Sequence, residues 1–145
     1  MFLAKYGNED HIDDAISNKK DYEVRSEAMK NPNASHIHLD KGLKDKHANV
    51  RDAAIENPNI NANNITTALS SRDVNIKYAA MYHKKVTPHH IDTALDNEDD
   101  HIRGIAADHL NASRENLIKA SSDSNPTVSL TAKDRIDRNA FSGKN

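Results

Sequence analysis

The chain has 145 residues, of which 29% are charged, 36% hydrophobic and only 4% aromatic. This balance is thin for a globule around one large core and too apolar for a disordered chain, so an elongated array of small units is expected. A formal net charge of −2 with the nine histidines neutral gives no overall field for nucleic acid, and the lack of cysteine excludes disulfides, thiolate catalysis and iron–sulfur ligation. No apolar run approaches the roughly 18–20 residues of a membrane span. The opening "MFLAKYG" also lacks the apolar stretch of a secretory signal. The expectation is a soluble, cytoplasmic protein with no membrane partner, no metal and no cofactor.

In chain order, residues 1–6 read as a short capping helix. The stretch "HIDDAISNKKDYE" (11–23) reads as a partial unit, because it resembles "HIDTALDNEDDH" (90–101) further on. From position 24 a 26-residue register sets in. Val24, Val50, Ile76, Ile102 and Val128 share a column, and a basic residue follows the first four, at Arg25, Arg51, Lys77 and Arg103. Four positions after each β-branched residue stands an alanine: Ala28, Ala54, Ala80, Ala106 and Ala132. Leu39, Ile65, Ile91 and Leu117 form another column, and Leu43, Leu69 and Leu95 a partial one, with Ser121 in the fourth place. Repeats therefore start near 24, 50, 76, 102 and 128, and a single repeat domain over 1–136 is followed by a tail at 137–145.

Each unit reads as two short helices. Ser35, Thr87 and Ser113 are good N-caps for the first, and Pro88 suits the first helical position. Its buried face carries Leu39 and Leu43, or Ile91 and Leu95, at i and i+4. A polar link such as "DKHAN" or "NEDDH" leads to the second helix, where Val50, Ala53 and Ala54 share one face. Helices this short need their neighbours to be stable, which is the physics of a solenoid. The triplets Asn31-Pro32-Asn33 and Asn57-Pro58-Asn59 mark the joints between units. There the first asparagine is expected in the left-handed conformation that ends a helix, and proline blocks continuation. His83 and His109 fall in the same column and are expected to share its backbone role.

The pattern "VRDAAIENPNINANNITTALSSRDVN" (50–75) resembles the leucine-rich repeat variant family, relatives of HEAT repeats. Units of that family look like V-R-x-x-A-x-x-N-P-x followed by a short helix with paired leucines. The resemblance covers 24–136 and implies a right-handed superhelix of alternating helices that serves as an interaction surface. The iron–sulfur cluster of one member cannot transfer to a chain without cysteine. The tryptophan-lined groove of HEAT-type DNA glycosylases likewise has no counterpart here. The fold expected is an all-α, short right-handed α-solenoid of about five two-helix HEAT-like repeats.

Candidate chemistry is sparse. His36 and His38, or His89 and His90, diverge around a helix, and no HExxH or other i, i+4 histidine pair occurs. The carboxylate pairs Asp13-Asp14 and Asp99-Asp100 suit solvated turns or helix N-termini. Phosphate-binding loops and nucleophile elbows are absent, so no enzyme is expected. The basic column Arg25, Arg51, Lys77 and Arg103 suits either phosphate tracking or ion pairing to link residues such as Asp45, Asp73 or Asp99. One unit breaks the pattern: Tyr78 and Tyr82 stand where neighbouring units carry Asp52 and Glu56, or Gly104 and Asp108. Both tyrosines are expected to face solvent on one helical face, beside Lys77, His83, Lys84 and Lys85, as a hot spot for a partner. The functional expectation is a non-enzymatic scaffold that binds another protein, of the kind a phage or bacterial accessory factor would use. The alternative is nucleic-acid binding along the basic column, and stacking of end units leaves a homodimer open.

Overall fold

The computed structural model describes residues 1–143, which form eleven α-helices and no strand. They fall into two compact units, which divide between Ala80 and Met81. The first holds α1 (Phe2–Tyr6), α2 (Glu9–Ile16), α3 (Tyr22–Met29), α4 (His36–Leu43), α5 (Ala48–Glu56) and α6 (Ala62–Leu69), and α7 (Val74–Met81) ends at the boundary. The second holds α8 (Pro88–Ala94), α9 (Asp100–Asp108), α10 (Arg114–Ala120) and α11 (Pro126–Phe141). Among the described residues no helix is long and apolar enough to cross a membrane. Helix α11 continues five residues past Ile136, where the column pattern stops.

Local sequence explains where the helices begin. Ser35, Asn61, Thr87 and Ser113 each open a helix with a capping box, in which the third helical residue (His38, Asn64, His90 or Asn116) receives the backbone N–H of the cap. Asp21, Asp99 and Asn125 cap α3, α9 and α11 through their side chains. The pair Asp99-Asp100 thus supplies an N-cap and a first-turn acid, both favourable at the positive end of a helix dipole.

Within the first unit α3 packs on α1 and α5, while α4 packs on α2 and α6. Helix α4 also lies against α3 and α5, so two rows of short helices share one core. In the second unit α9 packs on α8, α10 and α11, and α10 on α8 and α11. Ala28, Ala54, Ala80, Ala106 and Ala132 are all fully buried, which lets adjacent helices approach closely. Leu39, Ile65, Ile91 and Leu117 are buried beside them, and so are Val50, Ile76, Ile102 and Val128. Val24, first of that column, is only half-buried.

Candidate partner-binding groove

The joints do not work as their sequence suggests. No non-glycine residue among those described has a positive φ, and Asn57 ends α5 at φ −69°, ψ 130°. The left-handed reading of the Asn-Pro-Asn joint is therefore overturned. Asparagine acts there through its side-chain amide, which can donate and accept at once. Asn57 is 3% exposed; its Nδ2 donates to Met29 O at 2.6 Å and Asn31 O at 3.0 Å, and its Oδ1 accepts from Asn59 N at 2.9 Å. Asn31 does the same toward Ala4 O and Gly7 O, both at 3.0 Å. Each joint is thus tied to the backbone of the previous one.

Later joints keep this geometry with other side chains. His109 accepts from Asn111 N at Nδ1 (3.0 Å) and sets Nε2 3.3 Å from His83 O, an arrangement that requires the Nε2–H tautomer. Arg135, 26 positions on, donates to Ala107 O at 2.7 Å and His109 O at 2.8 Å. His83 accepts from Lys85 N at 3.1 Å. Burial, together with the charges of Lys85 and Lys84, holds its imidazole below the ordinary value of 6.5. His38 and His90 are buried members of capping boxes. No group of three or more His, Asp or Glu side chains among the described residues is placed to hold a metal.

The basic column is largely neutralised. Arg25 grips Asp45 through Nε (2.7 Å) and Nη2 (3.1 Å), and Arg103 grips Asp123 in the same way at 2.8 and 3.1 Å. Arg51 places Nε and Nη2 at 3.1 and 2.7 Å from Asp73 Oδ2. The remaining Nη1 of each donates to a link carbonyl, of Asn18, Asp45 or Asn97. The hydrogen bonds from Arg51 and Arg103 hold the Asp73 and Asp123 carboxyls below the usual carboxylate range. Lys77 is half-buried on α7. A phosphate would have to displace a carboxylate at three of the four positions.

Tyr82 lies just beyond α7 and is 70% exposed, whereas Tyr78 is half-buried. Lys84 and Lys85 are exposed and His83 is half-buried. Tyr82 and Lys84 line a groove of about 700 Å³ that lies wholly within the second unit. Helix α9 presents Asp100, Gly104 and Asp108 to it at i, i+4 and i+8, and α11 presents Thr127, Val128 and Thr131. The joint residues Leu110, 92% exposed, and Asn111 also line it. Asn111 Nδ2 bonds Lys84 O and Val86 O at 3.0 and 2.8 Å, which fixes the two joints that border the groove.

Gly104 opens this groove. A Cβ added there would meet only Val128 Cγ2, at 3.9 Å. Its column carries Ser26, Asp52 and Tyr78 in earlier units, so a side chain is missing where the register supplies one. Sequence reasoning singled out Tyr82 and Lys84, named Gly104 and Val128 only as positions of the register, and passed over Ile105 and Leu110. A mid-helix glycine in a column of larger residues was the available signal. The first unit has a hollow of about 870 Å³, but its lining is polar and includes the Arg51–Asp73 pair, already engaged with itself.

No protein-family model matches the chain, and no significant match exists among curated proteins or solved structures.

Proposed function

We propose that the chain is a short α-solenoid of about five 26-residue units, of the leucine-rich repeat variant kind, that works as a non-enzymatic module binding another protein. The observation that carries this reading is the groove on the second unit. It has an apolar floor of Ile105 and Val128, an exposed aromatic and an exposed leucine at its edge, and polar groups around it. Such concave, mostly apolar clefts with a few placed polar groups are where ligands and peptide segments bind. Tyr82 is the anchor and Lys84 steers, with His83 and Lys85 next to them in the chain; Lys77 and Tyr78, on α7 of the first unit, are the further residues proposed for partner contact.

The test is affinity capture from lysate with wild type, Tyr82→Ala and Gly104→Tyr. A partner recovered by wild type and lost with both variants supports the groove; equal recovery by all three removes it. Nucleic-acid binding along Arg25, Arg51, Lys77 and Arg103 is the competing use of the molecule. It requires affinity for DNA or RNA that falls steeply with salt. The engagement of three of those cations by aspartates weighs against it.

A further inference from the structure

The chemistry of the occupant follows from the distribution of charge about the groove, on the premise that the groove is the binding site. Gly104 is the midpoint of the α9 face, with Asp100 one turn before it and Asp108 one turn after. The eight-residue step from Asp100 to Asp108 spans about 12 Å along the helix axis. Asp100 Oδ2 accepts from Asn125 Nδ2 at 2.6 Å, which orients that carboxylate and leaves its second oxygen open. Asp108 is exposed and takes part in none of the ion pairs among the described residues. Lys84 is the cation of the lining; with His101 and His109 neutral, two carboxylates against one ammonium leave a charge of −1. Between the carboxylates the floor is apolar and lacks a side chain at Gly104.

The geometry points to an extended, basic segment of a partner protein as the occupant. One apolar side chain of that segment fills the gap over Gly104, and a Lys or Arg on either side of it reaches Asp100 and Asp108. An extended chain advances about 3.3 Å per residue, so cations four positions apart span about 13 Å and match the carboxylate spacing. The order cation, apolar anchor, cation is read out by the aspartates and by the missing side chain together. An acidic segment would meet like charge at both ends of the seat, and a neutral one would supply no counter-charge to either carboxylate.

The experiment is selection of a random 12-residue peptide display library on the immobilised full chain, with counter-selection on Gly104→Tyr. That variant keeps both aspartates and copies the residue the same column holds at Tyr78; its melting curve verifies the fold. Asp108→Lys, at an exposed position, serves as a second counter-selection if the tyrosine variant does not fold. The expected winners are net basic, with an apolar residue between two Lys or Arg about four positions apart. Resynthesised peptides should lose about two- to fivefold in affinity with Asp100→Asn or Asp108→Asn, the range of exposed ion pairs, and should weaken with salt. Enrichment of neutral or acidic peptides that still depend on Gly104 would overturn this inference and leave the groove as the site. If no enriched peptide depends on Gly104 or Asp108, the groove reading falls with it.

Discussion

The two units are written in one 26-residue register but fill it differently. In the first, the joint column carries Asn31 and Asn57, whose amides are buried and donate to backbone carbonyls of the preceding joint. In the second, the same column carries His109 and Arg135, which bond the same kind of carbonyl from less buried positions. Each unit also has one glycine inside a helix, with opposite surroundings. At Gly42 on α4 an added Cβ would lie 2.1 Å from Met29 Sδ and 3.0 Å from Ala54 Cβ, so a neighbour already occupies that space. At Gly104 on α9 the space is open. A glycine that lets a methionine into the core and a glycine that leaves a gap for a ligand look alike in sequence. Their neighbours, contributed by other helices, make the difference.

The largest effect expected from breaking this comparison is at Asn57. Asn57→Ala removes three short hydrogen bonds and leaves Met29 O, Asn31 O and Asn59 N without that partner. At about 0.5–1.5 kcal/mol for each bond, the loss should be about 2–4 kcal/mol of unfolding free energy. His109→Asn should be much milder, within about 1 kcal/mol of wild type, because an amide can replace both ring nitrogens in role. Urea denaturation of the two variants checks this. Comparable losses would mean that the joints of the second unit depend on the imidazole itself and not on a donor–acceptor pair.

The glycines give the next effect, and here the sign is the readout. Gly42→Ala gains about 1 kcal/mol of helix propensity. It also forces the fully buried Met29 to move, an overpacking cost of about 1–3 kcal/mol, so thermal melting should show a net loss. Gly104→Ala has no such clash and should stabilise by about 0.5–1 kcal/mol. If both variants lose stability, Gly104 is held by packing and does not mark an open seat.

The helix starts were legible because a cap is a local device. Ser35, Thr87 and Ser113 each need only their own side chain and the next turn, and all three receive the expected N–H. The apolar columns were legible for a related reason: burial of Ala54 or Ile91 follows from helical spacing alone. The joint asparagines were recognised as joints but given the wrong mechanism. Asparagine favours helix ends both for its tolerance of the left-handed conformation and for its amide, and a column of Asn31 and Asn57 does not tell the two apart. The replacement by His83, His109 and Arg135 was the discriminating clue, since histidine and arginine supply hydrogen bonds and not backbone freedom. The ion pairs of Arg25 and Arg51 with Asp45 and Asp73 could be anticipated from the register. The partner of Arg103 is Asp123, in the link between α10 and α11 that leads into the next helix of its own row, just as Asp45 lies between α4 and α5 for Arg25 and Asp73 between α6 and α7 for Arg51. Of the groove only the missing side chain at Gly104 was readable in its column; that the gap is bounded by Val128, 24 residues away, depends on the packing of α11 on α9.

The smallest effect concerns acid, and it sharpens the contrast between an amide and an imidazole in one column. His83 accepts the Lys85 N–H at Nδ1, so the proton and the backbone compete for the same lone pair. Burial and the adjacent lysines Lys85 and Lys84 lower its folded-state pKa below the unfolded value near 6.5. Below that pH the unfolded chain binds the extra proton more readily than the folded one, so stability must rise with pH through this window. The contribution of His83 is fully present above about 6.5 and declines as the pH falls from there toward the folded value. His83→Asn retains an acceptor for the Lys85 N–H but does not titrate. The melting temperature should therefore drop less between pH 7.5 and 5.5 in His83→Asn than in wild type. An equal drop would mean that protonation of His83 costs the fold nothing, and that Nδ1 is not the acceptor that holds this joint.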